Sequence, residues 1–158
     1  MIRQGQFADI PALTLLLEEA HAASIYADRT TFNRQEAKGL FSRAMQRHGH
    51  QTSGGSFVMV AEADSAVEGF IVGYLERCYH VLDGLMATDL FFICSERAHA
   101  RSAGALLDAF MAWAEGNKRV IEIRMGVTNA IGDWKRAGKM YQRRGFEQSG
   151  ALWERRVR

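Results

Sequence analysis

Apolar positions along this chain change period several times, and each change marks an element. Residues 2–6 read as a short strand. Ile10, Leu13, Leu16, Leu17, Ala20 and His21 then recur at helical spacing, giving a helix to about residue 23. Asp9 stands where an N-cap belongs, and Pro11 falls in the first turn, where its missing N–H costs little. Asn33 opens a second helix with Glu36 at the capping-box position, and Ala37, Leu40, Phe41, Ala44 and Met45 form its inner face before Gly49 closes it.

After the polar loop 50–55 the period shortens. Segments 57–63 and 68–77 are rich in β-branched and aromatic residues and are separated by a turn signal, so they form a hairpin. Asp83-Gly84 marks the next turn, before a strand over 86–93. A helix over 103–116 carries Ala103, Leu106, Leu107, Phe110, Trp113 and Ala114 as its stripe, and Gly116-Asn117 ends it. An alternating strand follows over 120–127. The last helix has Asp133 as N-cap, turns Trp134, Ala137, Met140 and Tyr141 inward, and ends at Gly145 as a left-handed cap. Residues 146–149 and 151–157 read as two closing strands. The order β-α-α-β-β-β-α-β-α-β-β is a mixed α/β domain with one hydrophobic unit spanning 1–158.

With 158 residues, 47% of them hydrophobic, one domain can build a core without disulfides or metal. Two cysteines, Cys78 and Cys94, are too few for a zinc site or a disulfide framework and read as buried thiols in a reducing compartment. The start of the chain lacks the apolar stretch of a signal peptide, and no apolar run approaches a membrane span. The expectation is a cytoplasmic protein with no membrane partner. A net charge of +2 demands no nucleic acid, although arginines at 143, 144, 155, 156 and 158 gather charge towards the C-terminus, as an acidic substrate or cofactor would suit. His48 and His50 have no matching cysteine or carboxylate cluster, so no metal site is expected.

The candidate chemistry begins where the strand ending Leu90, Phe91, Phe92, Ile93 runs into a loop of small and basic residues that opens a helix. The first N–H groups of a helix lack partners inside it and sit at the positive end of its dipole, so this junction suits a phosphate or pyrophosphate. Arg101 can add a fork of donors. A Rossmann-type dinucleotide site is excluded, because there is no G-x-G-x-x-G and no acidic residue on a second strand at the right spacing.

Two motifs in this order of elements resemble the GCN5-related N-acetyltransferases over essentially the whole chain. One is the family's A-x-x-x-Y-x-x-x-G-F segment, which stands here as Ala137, Tyr141, Gly145 and Phe146. The other is its pyrophosphate loop, [Q/R]-x-x-G-x-[G/A]. In the register that keeps the helix face intact, that loop is Ala98, His99, Ala100, Arg101, Ser102 and Ala103; a shift by one puts Arg97 first and Ala100 and Ser102 in the glycine places. Both registers depart from the pattern. Trp134 replaces the asparagine that many members carry seven residues before the tyrosine, and Asn129 lies nearby.

The resemblance implies a central, mostly antiparallel twisted sheet flanked by about four helices, and it implies acetyl-CoA as acyl donor. Phe92 and Ile93 would flank the pantetheine arm. Ala98, His99, Arg101, Ser102, Ala103, Gly104 and Ala105 would meet the pyrophosphate, with Asn129 and Trp134 as further cofactor contacts. It implies acetyl transfer to a primary amine on a small molecule or peptide, in a ternary complex, with Tyr141 as acid and Asp89 as the first candidate base ahead of Glu76 and Asp83. Tyr26 and Arg29, in the loop between the first two helices, would face the acceptor. A homodimer through sheet edges or the C-terminal strand is also implied. The alternatives are a non-catalytic CoA-binding or regulatory domain of the same fold, and a protein directed at nucleic acid through its C-terminal arginines.

Overall fold

The computed structural model describes residues 1–99 and 101–157. Five strands form one sheet in chain order: β1 (Ile2–Gln4), β2 (Ser56–Ala63), β3 (Ala66–Arg77), β4 (Leu85–Cys94) and β5 (Val120–Arg124). All neighbours are antiparallel except β4 and β5, which run parallel because α3 (Ser102–Glu115) carries the chain back between them. Helices α1 (Ile10–Ala22) and α2 (Arg34–Gln46) cover one face, packing on Val58, Val60, Phe70 and Val72. Helices α3 and α4 (Trp134–Gln142) cover the other, where Leu106, Leu107 and Phe110 are fully buried against Phe57, Ile71 and Leu75. Among the described residues, no helix is long and apolar enough to cross a membrane.

Local signals account for most boundaries. The Asn33 side chain accepts the Glu36 N–H at 3.1 Å, and Asp133 accepts the Lys135 N–H at 2.9 Å, so both caps form. The β2–β3 hairpin turns on Asp64 and Ser65 alone, with φ of 49° and 63°. That two-residue turn matches strand twist and starts β3 at Ala66, two residues before the sequence pattern does.

Three expectations are corrected. Asp9 does not cap α1: its carboxylate accepts both terminal nitrogens of Arg3, at 2.7 and 2.8 Å, and the Gln6 N–H at 2.7 Å, which pins β1 to the turn before the helix. β5 stops at Arg124 rather than 127, because the Gly126 N–H goes to the Asp89 carboxylate at 2.9 Å. Residues 146–157 form no strand. Phe146 donates to Tyr141 O (3.2 Å) past the left-handed Gly145 to close α4, and the segment beyond has no strand beside it, leaving Leu152 and Trp153 exposed.

Candidate functional site

The site starts from a fault in the ladder. Val72 lies opposite Phe91 and Gly73 opposite Asp89, so Leu90 is an extra residue on β4, a β-bulge that bends the strand. Gly73 is needed there. A Cβ at that position would stand 2.2 Å from Phe110 Cε2. Pairing between β4 and β5 ends one residue before Asp89, at Thr88↔Arg124. Beyond that point β4 continues with its β5-side edge open, and a cavity of about 1520 Å3 begins.

One end of this cavity suits an anion. The loop after β4 is braced by β3: Ser95 N–H donates to Glu68 O (2.8 Å), while His99 N–H (3.3 Å) and the Ser102 hydroxyl (2.6 Å) donate to the Glu68 carboxylate. His99 Nδ1 accepts the Arg101 N–H at 3.2 Å, which requires that nitrogen to be unprotonated. The first turn of α3 presents Ser102, Ala103 and Gly104, and at Gly104 a Cβ would meet Arg144 Nη2 at 2.6 Å. Arg144 is held there by Asp108, at 2.5 and 3.1 Å.

Ala98, His99, Arg101, Ala103, Gly104 and Ala105 all line the cavity, as do Phe92, Ile93 and Trp134. Ser102 does not, since its hydroxyl turns to Glu68. Asn129 sits exposed in the turn after β5, outside the lining, and Ala100 lies outside the described residues. Sequence reasoning missed Arg136 and Lys139, which with Arg143 form a cationic row along α4 on the cavity wall. Their i, i+3, i+7 spacing was a readable signal. Glu68 was not readable, because its contact to the loop depends on strand register.

Further in, Asp89 and Tyr141 line the same cavity from the sheet and from α4. Burial raises the Asp89 carboxyl above the usual carboxylate range, and the hydrogen bond from Gly126 only partly offsets it. Burial also raises the Tyr141 phenol, and the Asp89 charge raises it further, so the two groups act on one another. Tyr141 is buried against Phe146, with ring centroids 5.8 Å apart. Cys94, at the end of β4, is pushed up to about 11 by burial and then by Glu68, which leaves it a neutral thiol at pH 7. α1 also lines the cavity, with Leu16, Glu19, Ala20 and Ala23, none of which the sequence singled out as a site. Tyr26 and Arg29 lie elsewhere. They border a smaller hollow with Thr30 and residues 154–157. Among the described residues, no group of three His, Cys, Asp or Glu side chains could hold a metal.

No protein-family model and no curated protein matches this sequence. Solved structures do match it over the full length. Glucosamine-6-phosphate N-acetyltransferase from Arabidopsis thaliana is 9% identical, with a TM-score of 0.71 over 100% of this chain and 98% of its own. A putative acetyltransferase from Agrobacterium tumefaciens str. C58 is 15% identical, with a TM-score of 0.72 over 99% of both chains. A ribosomal-protein-alanine N-acetyltransferase from Brucella melitensis biovar Abortus 2308 is 15% identical, with a TM-score of 0.67 over 99% of both chains. The fold is therefore that of the GCN5-related N-acetyltransferases, one mixed α/β unit around a mostly antiparallel sheet.

Proposed function

We propose that this chain is an acetyl-CoA-dependent N-acetyltransferase acting directly on a primary amine. One observation carries the reading. A single cavity joins the N-terminus of α3 and the cations of the α4 wall to the half-buried Asp89 carboxyl and the buried Tyr141 phenol, near the break between β4 and β5. The donor set fits the group: Arg101, Arg136, Lys139 and Arg143 suit phosphates, and the small residues at 103–105 let a ligand approach the first turn of α3. The open edge of β4 beyond Thr88 offers backbone groups to an extended amide-bearing arm.

Bound acetyl-CoA supplies an acetyl group activated as a thioester. The chain's own residues handle the protons. An amine with a pKa of about 10.4 arrives protonated, and Asp89, which lines the cavity, would accept that proton, directly or through water. Its raised pKa brings it nearer the working pH than an ordinary aspartate. Tyr141 keeps its phenolic proton well into the alkaline range and can give it to the departing sulfur. Backbone N–H groups near Ile93 would polarise the carbonyl. Calorimetric titration of the whole chain with acetyl-CoA tests this first. Micromolar binding supports the reading, no binding at millimolar ligand overturns it, and saturable binding without turnover of any amine would point to a ligand-sensing domain.

A further inference from the structure

His99 is the residue on which the loop after β4 closes upon itself. Its N–H donates to the Glu68 carboxylate at 3.3 Å, and its carbonyl accepts the Ser102 N–H at 2.8 Å. Its Nδ1 accepts the N–H of Arg101, the N-cap residue of α3, at 3.2 Å. Two of the N–H groups at the head of the helix are therefore held by His99, one by its main chain and one by its ring. The ring itself is exposed, lines the cavity, and makes no hydrogen bond through Nε2 with a described residue.

Only the ring contact depends on a proton. A nitrogen can accept the Arg101 N–H only while it carries no hydrogen, so protonating Nδ1 sets donor against donor and the contact opens. His99 then adds a charged donor to the cavity, and the Arg101 N–H is released beside it. Glu68 on β3 is the carboxylate bonded to this loop, through the His99 main chain and the Ser102 hydroxyl rather than the ring. The other charged groups around the cavity are Glu96, Arg97 and Arg101 on the loop, Asp108 on α3, Glu19 on α1, and Asp133, Arg136, Lys139, Arg143 and Arg144 at α4. Asp108 is paired with Arg144, and Asp133 caps α4, so the remaining cations outnumber the remaining carboxylates. An entering diphosphate would neutralise that surplus, and an anion beside an imidazole favours its charged form.

We propose that His99 is a proton-coupled latch on the cofactor loop. Neutral, it holds the Arg101 N–H; protonated, it releases that group and joins it as a donor, so acetyl-CoA and a proton bind together. This rests on the acetyltransferase reading and adds the control of its cofactor site. The proton comes from solvent on binding and returns to it when the cofactor leaves. Affinity must then fall as pH rises through the range in which imidazole titrates, by up to about tenfold per pH unit for one coupled proton.

Calorimetry with 3′-dephospho-CoA tests this, because that ligand lacks the phosphate monoester whose own second pKa is about 6. At pH 7 the heat should differ between two buffers of unequal ionisation enthalpy, by the uptake of part of a proton, and Kd should rise about tenfold between pH 6 and pH 8. His99→Asn keeps an acceptor for the Arg101 N–H but has no proton to gain. It should bind without proton uptake and with the same Kd at both pH values. Binding by the natural protein with no buffer dependence, or equal uptake in His99→Asn, overturns the latch and leaves the transferase reading intact. If neither acetyl-CoA nor 3′-dephospho-CoA binds, that reading fails and sulfate, which does not titrate in this range, decides the latch. Against chloride at equal ionic strength, sulfate should move the midpoint of the His99 NMR titration upward, and an unmoved midpoint overturns the proposal.

Discussion

Replacing Tyr141 with phenylalanine separates its chemistry from its packing. The ring is buried and tilted against Phe146, while the hydroxyl makes no hydrogen bond with another described residue. Tyr141→Phe therefore removes no folded-state bond, and stability should change by less than about 1 kcal/mol. The kinetic cost has a different origin. Losing a positioned acid costs about 10²–10⁴ in rate, or roughly 2.7–5.4 kcal/mol of barrier. A thiol with a pKa near 8.5 is a fair leaving group without help, so the loss should lie near about 100-fold at pH 7. It should also shrink above about pH 8.5, where sulfur can leave as thiolate. Release of thiol with a primary amine that the natural protein turns over measures kcat, while calorimetry and a melting curve check acetyl-CoA affinity and fold. Unchanged kcat in a well-folded variant would remove Tyr141 from the mechanism. A parallel loss of acetyl-CoA affinity would make it a packing residue.

Three other outcomes follow from the structure. Asp89 has a folded-state pKa above its unfolded one, so it favours folding at low pH, and that contribution disappears as pH rises from about 4 through the raised value. Asp89→Asn should thus raise Tm at pH 7.5 more than at pH 4 while cutting turnover by about 10-fold or more; a lower Tm at pH 7.5 would mean that the tie to Gly126 needs the charge. Gly73→Ala forces a methyl to within 2.2 Å of the fully buried Phe110 ring. Overpacking of this kind costs about 1–3 kcal/mol, several degrees of Tm for a chain of this size, and an unchanged melting curve would show that the ring can yield. His48 is held below its ordinary pKa by burial, and its Nδ1 accepts the Val58 N–H at 2.9 Å. The unfolded chain then takes up the proton first, so stability falls as pH drops through about 6.5. His48→Gln should flatten that part of the Tm–pH curve, and an identical slope would refute the assignment.

Signals read from neighbours in sequence survived where nothing distant competed for the same atoms. Asn33 and Asp133 cap their helices because each finds its N–H within three residues. Asp9 carries the same short-range signal, but Arg3 on β1 captures its carboxylate with two bonds, and no local pattern announces that. Alternation over 146–157 describes a strand without providing a partner, so it yields none. The anion loop was legible as a junction of strand, small residues and helix, whereas Glu68 beneath it depends on register, and Glu19 depends on where α1 crosses the sheet.

Asp89 shows most directly why the centre of the site resists reading from sequence. By taking the Gly126 N–H, its side chain occupies a backbone donor just past the last β4–β5 pair. The bulge at Leu90 bends β4 at the same point, and Gly73 makes room for Phe110 beside it. The carboxyl proposed to accept the proton is thus bonded at the break that opens the cavity, and its burial there raises its pKa. A pattern that scores each strand for regularity discards that irregularity, although a departure from the local rule is where a functional site is expected. The cavity begins where β4–β5 pairing ends, so the strand defect and the proposed activity are tied to the same residues.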